Sequence, residues 1–376
     1  MKRIIYIIMP LILFACLPVF FTSASAEDVS NTSETDTEEE YYSEFESILP
    51  DLVKDSIGEV DSERAGELIG IKSVLNDIIT QFGKSSGTMA KFFFTLLGLT
   101  VLSAAGGIVK GNIASAELSK AIDTGISAVF ALSVFSVVFS KAKGVAALLG
   151  ELRDFNTALT PIVFALNAAG GNSSGAACGA VSMSVAGFVT GRLCADVLLP
   201  LAGAVFVFAL ASSVSGETNV GAVGKLVKSS YMWLLGIISF LISAAFSFQS
   251  VLSVSADTFA MRSIKYAAGM LPLVGGTVSG SLSALSAGLS LIRSTIGVSA
   301  VAAIWLLFLP ALIELIAARF SFSICATISS MLSDSTAERM LVSFRGVIDM
   351  LLGSMVICQI MTIINISVFM KSAVAI

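Results

Sequence analysis

The 376-residue sequence contains no histidine, and only 13% of its residues are charged. The absence of histidine excludes Ser-His-Asp triads, histidine metal ligands and histidine proton relays. Soluble domains carry about 25% charged residues, so the low charge argues against a soluble enzyme of this length. The sequence has 5 cysteines, and those after residue 26 are not at metal-ligand spacing. We therefore predict no metal, no other cofactor and no disulfide framework.

What the sequence has instead is apolar residues, which make up 55% of the chain. Its net charge of −5 is unevenly distributed. Residues 27–91 carry 16 acidic and 5 basic side chains, a net charge of −11, whereas residues 92–376 carry 11 acidic and 15 basic, a net charge of +4. No run of basic residues suggests binding to nucleic acid. The pattern indicates an acidic polar segment attached to an apolar membrane body.

The N-terminus has the pattern of a secretory signal peptide, residues 1–26. Two basic residues precede the apolar run 4–21, and an Ala-Ser-Ala sequence ends at Ala26, the predicted cleavage site. Two alternatives remain open, namely an uncleaved anchor over 4–21 and a lipoprotein site at Cys16. All three place residue 27 across the membrane, so residues 27–91 are predicted to be extracytoplasmic.

Within this acidic segment, residues 27–44 are predicted to be disordered because they have little apolar surface to bury. A short helix interrupted near Pro50 is expected over 48–57. Residues 62–83 are predicted to form an amphipathic helix ending at Gly83, because apolar residues recur there at spacings of three and four. This stripe consists of Leu68, Ile71, Leu75, Ile78 and Phe82. It is suited to packing on its own protein, on a partner or on a membrane surface.

The remaining sequence predicts an all-α, polytopic membrane helical bundle of about six to eight spans, since a bilayer requires about 20 apolar residues per helix. The clearest spans are 92–109, 124–140, 193–214, 229–256, 294–318 and 346–370. Shorter Gly/Ser/Ala-rich candidates are 155–170, 176–191, 277–291 and 320–332. Residues 92–155 are assigned to a first membrane hairpin and linker.

Two stretches of the membrane body resemble each other. A Gly-Gly-x-x-Ser-Gly pattern begins at Gly170 and again at Gly275, and a Leu-Pro pair follows each copy. We predict repeat A over 156–256 and repeat B over 267–376. Three crossings in each copy would give them opposite orientations, an arrangement common in transporters. The alternative is chance similarity in a Gly/Ser/Leu-rich sequence.

Glycines at intervals of four in these stretches are predicted to serve helix packing, because they let two helices approach closely. They are Gly171, Gly175, Gly276 and Gly280. The Gly224-Lys225 pair does not complete a phosphate-binding loop. Any energy source would therefore come from another chain or from a gradient.

Two groups of polar residues are candidates for function. Asp196 and Glu314 lie within apolar segments and are predicted to line an intramembrane polar path, or else to pair with nearby arginines. A charged linker over 257–266 joins the proposed repeats, either as an interfacial helix or as a surface that contacts a partner. Its candidate residues are Asp257, Arg262, Lys265 and Tyr266.

Around this linker the sequence resembles the stage III sporulation protein AE family. The residues that carry the resemblance are Ser255-Ala256-Asp257, Arg262, Lys265-Tyr266, Gly269 and Pro272-Leu273-Val274-Gly275. The signal sequence, acidic segment and multispanning body are similar to the family's layout, and the resemblance extends over the mature chain.

The resemblance implies a non-enzymatic subunit of a sporulation channel, a secretion-like complex or feeding tube required for endospore development. It implies a place in the mother-cell membrane around the forespore. The implied partners are other membrane subunits, a separate ATPase and a forespore-side channel protein. The alternative function is a stand-alone secondary transporter with inverted repeats. An intramembrane enzyme has little support, because no acid–base pair stands at a defined spacing.

Overall fold

We describe the fold from a computed structural model, which covers residues 36–57, 71–111, 116–169, 173–215, 223–224, 226–242, 244 and 275–371. This part of the chain is helical and contains no strand. Two short helices, α1 and α2, span Asp36–Ile48 and Asp51–Ile57. The next two helices are α3 (Ile71–Gly111) and α4 (Ala116–Ala169).

The second half of the bundle begins with α5 (Ser173–Phe188), which continues through a π-helical segment (Val189–Asp196) into α6 (Val197–Ser215). The remaining helices are α7 (Leu226–Ile242), α8 (Gly275–Met331) and α9 (Ser335–Lys371). The predicted all-α membrane bundle is confirmed.

Four helices in the described part are long and apolar enough to cross a membrane, and the shorter α7 is also apolar. These candidate spans are Lys72–Ile108, Thr124–Ala169, Leu289–Met331 and Ser335–Ser367. In the most apolar window of α8, 78% of residues are buried, against 22% in that of α3. Of the four candidate spans, the one with the highest hydropathy is therefore also the most buried.

The helices are longer than the predicted spans. Residues 124–140 and 155–170 were expected to be separate, but both lie in α4, which extends to Ala169. The three segments predicted between 277 and 332 all lie in α8. The charged stretch 141–154 stays helical because its lysine, arginine, glutamate, leucine and alanine residues favour helix. At about 1.5 Å per residue, α4 and α8 each follow a path of about 80 Å, well beyond the 30 Å of one hydrocarbon layer.

The prediction of disorder over 27–44 is wrong for residues 36–44, which belong to α1. Apolar residues of α1, of the link between the two helices and of α2 recur every four positions and form one buried stripe. They are Phe45, Leu49, Val53 and Ile57, all at most 4% exposed. The Phe45 ring meets Phe155 of α4 edge-on, with 6.5 Å between ring centroids. The acidic residues are tolerated because this stripe supplies apolar surface to bury. Pro50 separates the two helices, as expected.

The amphipathic helix predicted to stop at Gly83 instead continues to Gly111, because one glycine costs a helix only about 1 kcal/mol. Residues 62–70 lie outside the described part. Of the predicted apolar stripe, Ile78 packs against the core, whereas Leu75 and Phe82 are 53% and 56% exposed.

The directions of the helices test the predicted opposite orientation of repeats A and B. Helices α5 and α8 both run antiparallel to α4, so they run parallel to each other. The contacts that fix these directions are Lys141–Glu314 and Leu166–Arg293 between α4 and α8, Val163–Gly179 between α4 and α5, and Arg153–Gly191 between α4 and the π-helical segment that continues α5.

Helices α7 and α9 also run parallel, since Lys228 contacts Asp349 and Met232 contacts Gly353. Corresponding helices of the two stretches thus point the same way, and the predicted opposite orientation is wrong. The Gly/Ser-rich segments were expected to break and add a crossing, but α5 runs on into α6, and α8 is continuous from Gly275. The sequence repeat itself stays a prediction.

The turn between α8 and α9 is held by Asp334. Its carboxylate accepts a hydrogen bond from the Ala337 amide at 3.0 Å, which caps the first turn of α9. The other carboxylate oxygen accepts from the Ser103 hydroxyl at 2.6 Å, so α3 is tied to the same turn. Ser333 adopts a left-handed backbone conformation, with φ of 58°, to close the turn.

Candidate functional site

The two carboxylates predicted to line a polar path occupy separate places. Asp196 ends the π-helical segment and pairs with Arg192 at 3.1 Å, with the two side chains 54% and 72% exposed. Glu314 of α8 accepts a hydrogen bond from Lys141 of α4 at 2.9 Å. Asp196 therefore pairs with an arginine, which was the predicted alternative to lining a polar path. A role of Asp196 and Glu314 in a path stays a prediction.

Asp349 of α9 forms an ion cluster with two cations. Its carboxylate lies 3.1 Å from Lys228 Nζ of α7 and 2.5 Å from Arg319 Nε of α8. All three side chains are about three-quarters buried. One carboxylate thereby joins three helices.

The other predicted site residues are placed as follows. Ala26, Gly171 and the linker residues Asp257, Arg262, Lys265 and Tyr266 lie outside the described residues. Gly175 lies in α5, and Gly276 and Gly280 lie in the first turns of α8. Their roles stay predictions.

Sequence reasoning missed a set of buried polar side chains carried by α4, α8 and α9. We call this set the polar seam, and each member is at most 2% exposed. Its members are Asn156 and Asn167 of α4, Arg293 of α8, and Gln359, Thr362 and Asn365 of α9. Such groups are costly inside an apolar bundle unless they are paired or solvated.

Few hydrogen bonds connect the polar seam across helices. Asn156 Nδ2 donates to Thr362 Oγ1 at 3.4 Å, which joins α4 to α9. Arg293 Nη2 donates to the Leu166 carbonyl at 3.0 Å, which joins α8 to α4. Asn167 Nδ2 turns back to the Val163 carbonyl of its own helix at 2.9 Å.

Several seam atoms have unmet hydrogen-bonding capacity. Among the residues that the structure describes, none bonds to Gln359 Nε2 or Oε1, to Asn365 Nδ2, or to the Oδ1 atoms of Asn156 and Asn167. A folded protein leaves few buried polar side-chain atoms without a partner, so five along α4 and α9 are unusual.

A signal for the polar seam exists in the sequence. Gln359, Thr362 and Asn365 recur every three residues in the C-terminal half of α9, so successive members are neighbours on the helix surface. Asn156 and Asn167 are eleven residues apart, or about three helical turns, and share a face of α4. The sequence analysis considered acidic residues within apolar segments. It did not consider these amides or Arg293.

The polar seam offers hydrogen-bond donors and acceptors but neither a carboxylate nor a thiol. Nor do the described residues include a group of three or more cysteine, aspartate or glutamate side chains able to hold a metal ion. The arrangement is suited to binding uncharged polar groups rather than to acid–base chemistry.

A comparison with known protein families identifies the family of this chain. The family model for stage III sporulation protein AE matches residues 53–373. The chain belongs to the stage III sporulation protein AE family. This match covers the membrane body, so the predicted resemblance is confirmed and a role in sporulation follows for this family member. A comparison with curated proteins found no match, and neither did a comparison with solved structures.

Within this stage III sporulation protein AE family member, the matched region contains every helix that forms the polar seam and the Asp349 cluster. It begins inside α2 and so leaves α1 outside. The seam therefore belongs to the part of the chain that defines the family.

Proposed function

We propose that this protein is a non-enzymatic, multispanning subunit of the channel or secretion-like complex between mother cell and forespore. Its place would be the mother-cell membrane around the forespore, with the N-terminal segment extracytoplasmic. The partners would be other membrane subunits, a separate ATPase and a forespore-side channel protein. The observation that carries the proposal is a buried, mostly uncharged polar seam inside an apolar bundle of a sporulation family.

The composition of the polar seam supports a passage or binding role over catalysis. Amides and a threonine hydroxyl provide hydrogen bonds but no general acid or base near neutral pH. A partner ATPase is consistent with the incomplete phosphate loop at Gly224-Lys225. The stand-alone transporter loses its main support, because corresponding helices run parallel instead of in opposite directions.

Deleting the gene in its spore-forming host should nearly abolish heat-resistant spores, while vegetative growth stays normal. Spore yield after heat treatment measures the first effect, and complementation with the full chain should restore it. Crosslinking the tagged chain in sporulating cells should co-isolate an ATPase and membrane subunits. The same tagged chain expressed in vegetative cells is the control and should isolate neither.

Two results would contradict the proposal. One is a normal spore yield in the deletion strain. The other is the purified chain, alone in liposomes, moving a solute down or against a gradient at a steady rate. The second result would favour the stand-alone transporter.

A further inference from the structure

Two helices of the bundle define a layer that fits the hydrocarbon core of a membrane. The stretches 294–313 of α8 and 350–370 of α9 carry no charged residue. Each is about 20 residues long, the length that a helix needs to cross a bilayer. Arg319 of α8 contacts Asp349 of α9, so the two stretches begin near the same level of the bundle.

Helix α4 passes through this layer with charged side chains. Its contacts with α8, one at each edge of the uncharged stretch, are Lys141–Glu314 and Leu166–Arg293. Arg153 lies about halfway between these contacts along α4, so it is level with the middle of 294–313. The Asn156–Thr362 contact places Arg153 near the middle of the uncharged stretch of α9 as well.

We call the exposed charged side chains of α4 and the π-helical segment in this layer the charged face. Its members are Lys143, Glu151, Arg153 and Asp154 of α4, and Arg192 and Asp196 of the π-helical segment. Arg153 packs against Gly191, the neighbour of Arg192, so both elements contribute to one surface. The Arg153–Asp154 and Arg192–Asp196 ion pairs leave all four side chains between 46% and 72% exposed.

Helix α7 presents a different surface in the same layer. Met232 contacts Gly353 of α9, which places α7 beside the uncharged stretch of that helix. Its large apolar side chains Trp233 and Phe240 are 73% and 71% exposed. Hydrocarbon chains suit this apolar surface, but they are a costly environment for exposed charges. The charged face therefore requires a neighbour other than lipid.

Small residues on α4 favour a protein surface as that neighbour. Gly144, Ala147 and Gly150 lie between Lys143 and Glu151, and Gly144 and Ala147 are exposed. A Cβ added at Gly144 or Gly150 would meet no other described helix within 4 Å. Small residues let a second helix approach closely. A surface that only borders water has no need of them.

The charges of this face complement those of an identical face. It carries three basic and three acidic side chains, a net charge of zero. Two copies in one membrane are related by rotation about the membrane normal, so residues that meet must lie at one level. Because Arg153 packs against Gly191, five of the six charges lie within about 9 Å along the bundle axis. Acidic groups of one copy can thus meet basic groups of the other.

We propose that the charged face packs against the charged face of a second copy of this chain within the membrane. Each copy covers the ion pairs and small residues of the other, while α7 contacts lipid. The pairing does not depend on the proposed function, because it requires no other sporulation protein.

Disulfide crosslinking tests the pairing in the full-length chain, in membrane vesicles that lack the other sporulation proteins. All five native cysteines are first replaced by alanine. A single cysteine is then introduced on the charged face as Ala147→Cys. The matched control is Leu234→Cys on α7, a position in the same layer that is 58% exposed. After oxidation with copper phenanthroline, non-reducing electrophoresis measures the fraction of the chain in dimers.

We expect at least about fivefold more dimer for Ala147→Cys than for Leu234→Cys, because a disulfide forms only where two Cβ atoms come close together. Adding Arg153→Asp and Arg192→Asp should lower the dimer fraction of Ala147→Cys by about the same factor, since like charges then meet. Gly144→Cys, which keeps every charge, is the second position if Ala147→Cys does not accumulate.

Two results overturn the proposal. One is an equal dimer fraction for Ala147→Cys and Leu234→Cys. The other is a chain with Ala147→Cys that stays monomeric but reacts rapidly with a water-soluble methanethiosulfonate, because the charged face would then border water. Either result would leave the spore-yield test of the proposed function unaffected.

Discussion

Replacing Arg293 with alanine should lower the free energy of unfolding by about 3–5 kcal/mol, the range for emptying a large buried site and leaving a polar partner unbonded. Arg293 is 1% exposed and heads the largest fully buried side chains in the described part of the chain. Its Nη2 donates to the carbonyl of Leu166, three residues before the end of α4. The last four carbonyls of a helix have no partner within that helix, and a cation stabilises that end.

Denaturant unfolding in detergent micelles measures this effect. Arg293→Met keeps most of the side-chain volume but removes the donor, so it should lose about 1–3 kcal/mol. Arg153→Ala is the control, because Arg153 is 46% exposed in its pair with Asp154 and should change stability by less than about 1 kcal/mol. A variant Arg293→Ala as stable as the control would contradict the assigned role of Arg293.

Replacing Asp349 with asparagine should cost about 2 kcal/mol, between the values for exposed and fully buried ion pairs. The change keeps the shape of the side chain but leaves Lys228 and Arg319 facing each other without a counter-charge. The cluster adds to the apolar packing of α7, in which Leu235 is 2% exposed, to a 3.4 Å hydrogen bond from Ser354 to Tyr231 and to the Met232–Gly353 contact. We expect α7 to become more accessible to protease.

A second substitution separates the effect of the lost charge on stability from the effect of the changed side chain. Adding Lys228→Met to Asp349→Asn removes the repulsion and should restore part of the lost stability. The matched carboxylate is Asp154, which is 69% exposed, and Asp154→Asn should have an effect within about 0.5 kcal/mol. If the double variant is as unstable as Asp349→Asn alone, the cluster does not act through charge.

Local sequence pattern predicted the fold class and failed at helix boundaries. Apolar runs identified the membrane-type helices, because composition alone determines that property. Glycine and charged stretches were taken as breaks, yet α3 passes through Gly83 and α4 passes through the charged stretch 141–154 without ending. Neighbouring helices supply the stabilisation that local propensity lacks, so tertiary contacts decide where these helices end.

At the candidate site, too, composition revealed the residues but not their surroundings. Charged residues stand out in an apolar sequence, but Asp196 proves to be more than half exposed beside Arg192. The polar seam depends on which face of α9 meets α4, and that requires the relative rotation of two helices far apart in sequence. The spacing of Gln359, Thr362 and Asn365 was visible, whereas their burial was not.

We propose that the polar seam is the working part of this sporulation protein. Heat-resistant spore yield is measured for the Gln359→Leu/Asn365→Leu double variant, with its membrane abundance and stability recorded in parallel. Leucine has a similar volume and needs no hydrogen bond, so stability should stay within about 1 kcal/mol of wild type or rise. Met361→Leu and Ile363→Leu are the controls on the same helix.

We expect the double variant to accumulate normally and to yield almost no heat-resistant spores, while both controls sporulate like wild type. Normal accumulation together with normal sporulation would contradict a functional role of the polar seam. So would a double variant whose stability falls well below that of the controls, because the amides would then be holding the helices together.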